Sequence, residues 1–207
     1  MRTALTLLAS LAVAATLAGC QKKADAASSA DMSMGSATAK VTMIEYASVS
    51  CPHCARWNND VFPTIKTKYI DTGRVRYVMR EALTGEPSIA AAGFLTARCA
   101  GAGKYFQVVD AIYHSLEEME TTGQPRPILQ RIAQSAGLSK EQFDTCIRDE
   151  KALKDLNARW EGYVKDDKIN GTPTFIINGK RYEKGEMPLA EMEAAIAEAE
   201  ARGKSPS

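Results

Sequence analysis

Neither sign of charge prevails in this sequence. Its 26 Lys and Arg are matched by 25 Asp and Glu, a formal net charge of +1. Without a basic excess there is no broad positive field of the kind that draws a protein onto nucleic acid. Long apolar runs are also missing. The longest, from Leu5 to Leu17, falls short of the ~20 residues a membrane-spanning helix needs. A length of 207 residues bounds the chain to one domain, or one domain with an insertion. A hydrophobic content of 45% argues against global disorder. Histidine is scarce, with two copies, and cysteine occurs five times. What chemistry the chain has must be concentrated in a few places.

The first 19 residues read as an export signal rather than as part of a fold. Arg2 gives the positive start, Leu5 to Leu17 the apolar segment, and Leu17-Ala18-Gly19-Cys20 the end. That ending resembles a bacterial lipobox, which implies cleavage before Cys20 and lipid on its sulfur and amino group. The alternative is an ordinary secretory signal with Cys20 near its end by chance. Arg2 is the only charge before Cys20, so the processed chain balances at 25 against 25. Lipoprotein sorting, by the same resemblance, weakly favours the outer over the inner membrane, because Gln21 follows the anchor. Residues 20–38 are small and polar without periodicity and read as a lipid-anchored disordered tether. Its reach would be on the order of 25 Å. Met32 and Met34 read as linker filler, with soft-metal ligation the less favoured option.

The rest of the chain is organised around VTMIEYASVSCPHCARWNNDVFPTIKTKYI, from Val41 to Ile70. Val41, Met43, Ile44 and Tyr46 predict a buried strand. Ser48-Val49-Ser50 turns it, and Cys51-Pro52-His53-Cys54 opens a helix. A C-x-x-C pair at a strand-to-helix junction is the thioredoxin-like redox signature. Free N–H groups and the dipole at a helix start favour negative charge, so a thiol placed there ionises more easily. The thiolate is the species that attacks disulfides or leaves from them. Trp57, one turn on, borders this site or packs the helix, and Pro63 should kink the helix.

Downstream, Gly73 ends the helix and Arg74–Arg80 alternates Val75, Tyr77 and Met79 inward as a second strand. From about residue 87 to 165 only helical periodicity appears, punctuated by Pro125-Arg126-Pro127 and Gly137. A capping box is expected at Ser139–Gln142. Leu153, Leu156, Trp160 and Tyr163 complete the expected inward set. His114, in this stretch, reads as structural. Ile169–Ile177 is a strand entered through Thr172-Pro173. Asn178-Gly179 is a hairpin turn, Arg181–Glu183 the returning arm, and Met187–Arg202 an amphipathic closing helix.

With strand, redox helix, strand, helical insertion, Gly171-Thr172-Pro173, hairpin and helix, the chain resembles the DsbA-like thiol:disulfide oxidoreductases of the thioredoxin superfamily. The likeness covers roughly residues 39–200. It implies an α/β, thioredoxin-like fold with an inserted all-helical cap, the domain spanning 39–207 and the insertion about 87–165. It also implies roles. Cys51 matches the nucleophile and Cys54 its partner in a redox-active disulfide. Thr172-Pro173 matches the loop facing them, with a cis peptide bond expected. Glu45 matches a buried acid beneath the pair, able to exchange protons with the buried thiol, unless it is an exposed strand residue. His53 lies in the Pro-His middle pair of the family's oxidases, where a cationic neighbour lowers the thiol pKa and favours the reduced form.

The remaining Cys99 and Cys146 either form a structural disulfide in an oxidising compartment or stay as separate buried thiols. In the leading reading no cofactor or metal takes part. The chain is a monomer on the periplasmic side of the bacterial envelope. It gives its disulfide to unfolded or partly folded cysteine-containing envelope proteins, and a quinone-linked membrane protein reoxidises it. Thr172 also resembles the isomerases, so an isomerase or reductase kept reduced by a membrane electron donor stays open. A copper module using Cys51, Cys54, His53 and the tether methionines, or a non-catalytic scaffold, is the remote alternative.

Overall fold

The structure, a computed structural model, describes residues 30–183 and 185–202. The export signal, Cys20 and the start of the tether lie outside the described residues.

Five strands form one sheet: β1 (Met32–Met34), β2 (Val41–Ala47), β3 (Val75–Glu81), β4 (Thr174–Ile177) and β5 (Lys180–Tyr182), in the order β1-β3-β2-β4-β5. β2 runs parallel to β3 and antiparallel to β4. Its central place explains its nearly unbroken apolar reading, because both faces are covered. Val41, Met43 and Ala47 join the main core, whereas Ile44 and Tyr46 face a second cluster with Val78, Ile169 and Ile176. Alternation therefore sends Glu45 to the main-core side, beside Met43.

Between β2 and β3 lie α1 (Pro52–Asp60), α2 (Phe62–Ile65) and a π-helical turn (Lys66–Ile70). Pro63 thus breaks the helix rather than bending it, at the start of α2 where its missing N–H costs nothing. Six helices separate β3 from β4: α3 (Pro87–Cys99), α4 (Tyr105–His114), α5 (Leu116–Thr122), α6 (Pro125–Ser135), α7 (Lys140–Cys146) and α8 (Glu150–Lys165). α9 (Leu189–Arg202) closes the chain. The capping box forms, Ser139 Oγ accepting from Gln142 N and Gln142 Oε1 from Ser139 N. Leu153 is exposed, contrary to its expected inward place. At the hairpin, Asn178 and Gly179 both take positive φ, 43° and 82°.

The N-terminal boundary needs correction. Residues 30–38 were expected to be disordered tether, yet β1 pairs antiparallel with β3, Met32 opposite Met79 and Met34 opposite Tyr77. β3 would otherwise present an open edge. Asp31 lies 3.4 Å from buried Arg80 and accepts from Tyr163 Oη at 3.0 Å, tying the segment to α8. Met32 and Met34 pack against the core and are not filler in a linker. A chain begun at Ala39 would lose a strand.

Cys99, ending α3, and Cys146, ending α7, form a disulfide with Cα atoms 6.2 Å apart. Chain-entropy reasoning gives it about 4 kcal/mol for a loop of this length. The double substitution Cys99→Ala with Cys146→Ala should lower the denaturant midpoint accordingly while leaving Cys51 reactivity intact. A midpoint within error of the parent would remove the stapling role.

Candidate active site

Cys51 is the N-cap of α1, with extended backbone, and Pro52 takes the first helical position without needing a hydrogen-bonded N–H. Cys51 N donates to Ser48 O at 3.1 Å, and Ala55 N returns to Cys51 O at 3.0 Å. Cys51 is 7% exposed and Cys54 fully buried, so only the first sulfur can be reached from outside. Both are thiols here.

The turn carrying Cys51 is held from behind. Ser48 Oγ and Ser50 Oγ each donate to Thr84 O at 2.8 Å, and Ser50 Oγ also reaches Glu86 O. Gly85 sits between them at φ +73°, and a Cβ there would come within 2.5 Å of Ser50 O. Thr84 Oγ1 lies 2.6 Å from Thr172 Oγ1. The Thr172–Pro173 peptide bond is cis, and Thr172 O lies 3.5 Å from Cys51 Sγ, 121 residues away in sequence. Thr84 was not singled out in the sequence. A threonine in a loop carries no signal of its own, and its role exists only once two distant loops meet.

Electrostatics separate the two thiols. Cys51 is lowered to about 5, first by its hydrogen bond with Cys54, then against the cost of burial by the Thr172 side chain and by the backbone N–H groups of Cys54 and His53. Those two N–H groups are the free donors of the helix start. Cys54 is pushed well above the ordinary thiol range, chiefly by burial, with the Cys51 and Glu45 charges adding to it. One thiolate at Cys51 and one protonated thiol at Cys54 result near neutral pH.

Glu45 is 2% exposed rather than an exposed strand residue. Burial raises it to about 8, even though Tyr77 Oη donates to it at 2.6 Å. It interacts electrostatically with both sulfurs, which makes it a protonated carboxyl within electrostatic reach of the buried thiol. His53 is placed differently from expectation. Its ring is 64% exposed, and Nδ1 engages Glu186 Oε1 at 2.5 Å and Arg56 Nη2 at 2.7 Å. Its backbone N–H is among the groups that lower Cys51. Glu186 and Arg56 were not legible as site residues.

Trp57 is a core residue, its ring 4.6 Å from that of Phe175. His114 is on the surface, its ring hydrogen-bonded to Asp110 O. Among the described residues, no three His, Cys, Asp or Glu side chains gather as a metal site, and no helix is long and apolar enough to cross a membrane.

Comparison with known proteins places this geometry. A family model described as thioredoxin matches residues 27–198. A "putative protein-disulfide oxidoreductase" of Rickettsia bellii is 34% identical over 154 residues, 74% of this chain. A similarly named protein of Rickettsia typhi is also 34% identical over 154 residues. The chain spans only 59% and 56% of those two relatives. The crystal structure of Wolbachia pipientis alpha-DsbA1 superposes with a TM-score of 0.75 at 27% identity, covering 86% of this chain and 94% of that one. The chain thus belongs to the thioredoxin family, as a DsbA-like member with a thioredoxin-like fold.

Proposed function

We propose that the protein is a thiol:disulfide oxidoreductase that donates the Cys51–Cys54 disulfide to other proteins. The observation that carries this reading is the split between the sulfurs, an accessible low-pKa Cys51 above a buried high-pKa Cys54. A substrate thiolate attacks Cys51 Sγ, the Cys51–Cys54 bond breaks, and a Cys51–substrate disulfide forms. Cys54 leaves with the electron pair and takes a proton, for which Glu45 is the nearby buried source. A second substrate thiolate then attacks the substrate sulfur and expels Cys51 as a thiolate. A low-pKa thiolate is a good leaving group. Two electrons pass from substrate to protein, and the substrate keeps the disulfide.

The substrate is an extended, cysteine-containing segment of an unfolded or partly folded envelope protein, held against Thr172 and Pro173. The protein works on the periplasmic side of the envelope, anchored through lipid on Cys20, more in keeping with the outer membrane than the inner. A quinone-linked membrane protein restores the disulfide.

A second reading, an isomerase or dedicated reductase, rests on Thr172 before the cis-proline. Acid-quenching cells and alkylating the thiols tests the two. The donor reading expects Cys51 and Cys54 to be found mainly as a disulfide. A mainly reduced pair would favour the second reading and an electron donor in the membrane.

A further inference from the structure

We propose that Glu186 sets the oxidising strength of the pair by neutralising Arg56, a cation on the helix that Cys51 opens. The inference rests on the disulfide-donor reading and adds a positioning residue to it. Glu186 lies between β5 and α9, 133 residues from His53. Its Oε1 accepts from Arg56 Nε at 3.0 Å and Nη2 at 2.6 Å, and the same oxygen lies 2.5 Å from His53 Nδ1. The same Nδ1 lies 2.7 Å from Arg56 Nη2, so Glu186, Arg56 and His53 meet in one cluster. Glu186 therefore holds the His53 ring as well as binding Arg56.

The carboxylate competes with the thiolate. Arg56 is on the helix that Cys51 opens, and its charge interacts with that of Cys51. Glu186 brings a negative charge into the same neighbourhood and draws Arg56 and His53 to itself. Asp60 acts on Arg56 in the same sense, and Glu45 lies beneath Cys51. Less positive field then reaches the sulfur. A less favoured thiolate means a less favoured dithiol, and a weaker oxidant. The clamp also joins the loop before α9 to the first turns of α1, two segments otherwise remote in sequence.

The test compares the full chain with Glu186→Gln and Arg56→Ala. Both positions are on the surface, with side chains 33% and 52% exposed, and Gln keeps an acceptor for Arg56. Each protein is equilibrated with glutathione buffers, and Cys51 and Cys54 are read by alkylation and peptide mass, which keeps Cys20 separate. The Cys51 titration is followed by thiolate absorbance against a Cys51→Ser blank. Glu186→Gln should move the equilibrium roughly two- to five-fold toward the dithiol, as expected for one charge acting through a largely aqueous path. Its Cys51 midpoint should fall. Arg56→Ala should move both readouts the other way, and high salt should shrink both shifts. No shift with Glu186→Gln, or a shift toward the disulfide, overturns the proposal. Failure of the parent chain to oxidise a dithiol peptide would count instead against the reading on which it rests.

Discussion

Cys51→Ser is expected to abolish oxidation of a reduced dithiol peptide, leaving only the uncatalysed background. Among the described residues no other cysteine can take over. Cys54 is fully buried and its thiol is held far above the ordinary range, while Cys99 and Cys146 are bonded to each other. Cys54→Ser should behave differently. Cys51 remains reachable and largely ionised near pH 7, so it attacks a disulfide-bonded peptide, expels one peptide thiolate and is held in a mixed disulfide that no internal thiol resolves. Accumulation of Cys51-linked adducts with Cys54→Ser, and none with Cys51→Ser, is the expected gel pattern. Adducts formed equally through Cys54 would invert the assignment of the two sulfurs.

Glu45→Gln should have the second large effect, on stability as well as rate. A carboxyl whose folded pKa is about 8 against an ordinary 4.5 binds more protons folded than unfolded between those values. Stability therefore falls as pH rises from about 4.5 to 8, and the penalty is full above 8. The full penalty is on the order of 5 kcal/mol, an upper figure because a buried site relaxes and admits water. Cys51 acts in the opposite sense. Its pKa is depressed to about 5 from 9, so its contribution is lost as pH falls through 5 and is complete only above 9. In the reduced protein the two slopes offset between pH 5 and 8. In the oxidised protein only the Glu45 slope remains, because its cause is the inward face of β2.

Oxidised parent protein should accordingly lose several kcal/mol between pH 5 and 8 while the reduced form changes far less. Glu45→Gln should flatten the oxidised profile and make the reduced form gain stability with pH. The same substitution removes the buried proton source for Cys54 and should slow dithiol oxidation about 10²-fold, the lower end of general acid–base effects. Denaturant titrations of both redox forms across this range provide the check. Parallel pH profiles for parent and variant would contradict a buried, protonated Glu45.

Much of this was visible in the sequence because it is local. β2 announces itself by contiguous apolar residues, and the turn Cys51–Cys54 by its spacing. The hairpin is marked by Asn178-Gly179, and the cap by helical periodicity between Pro87 and Lys165. Glu45 was expected as a buried acid only through the family resemblance, and it is buried on the inward face of β2. What escaped notice depends on contacts between distant segments. β1 is three residues without a pattern of its own, formed because β3 has an open edge and Arg80 gains the partner Asp31. Thr84 matters only through Thr172, and Glu186 only through His53 and Arg56. Within the expected helical stretch, α4 and α5 divide at Ser115, a break for which the apolar pattern gave no sign. His53 shows the limit of motif reasoning. Its position was predicted, but the destination of its ring was not.

The equilibrium reduction potential of Cys51–Cys54 in the full chain, measured against glutathione buffers, bears most directly on disulfide donation. Stabilisation of the Cys51 thiolate predicts a value well above that of the glutathione couple, so that the pair stays reduced in buffers that oxidise ordinary dithiols. A value near thioredoxin's, about −270 mV, would contradict it and make the protein a reductant.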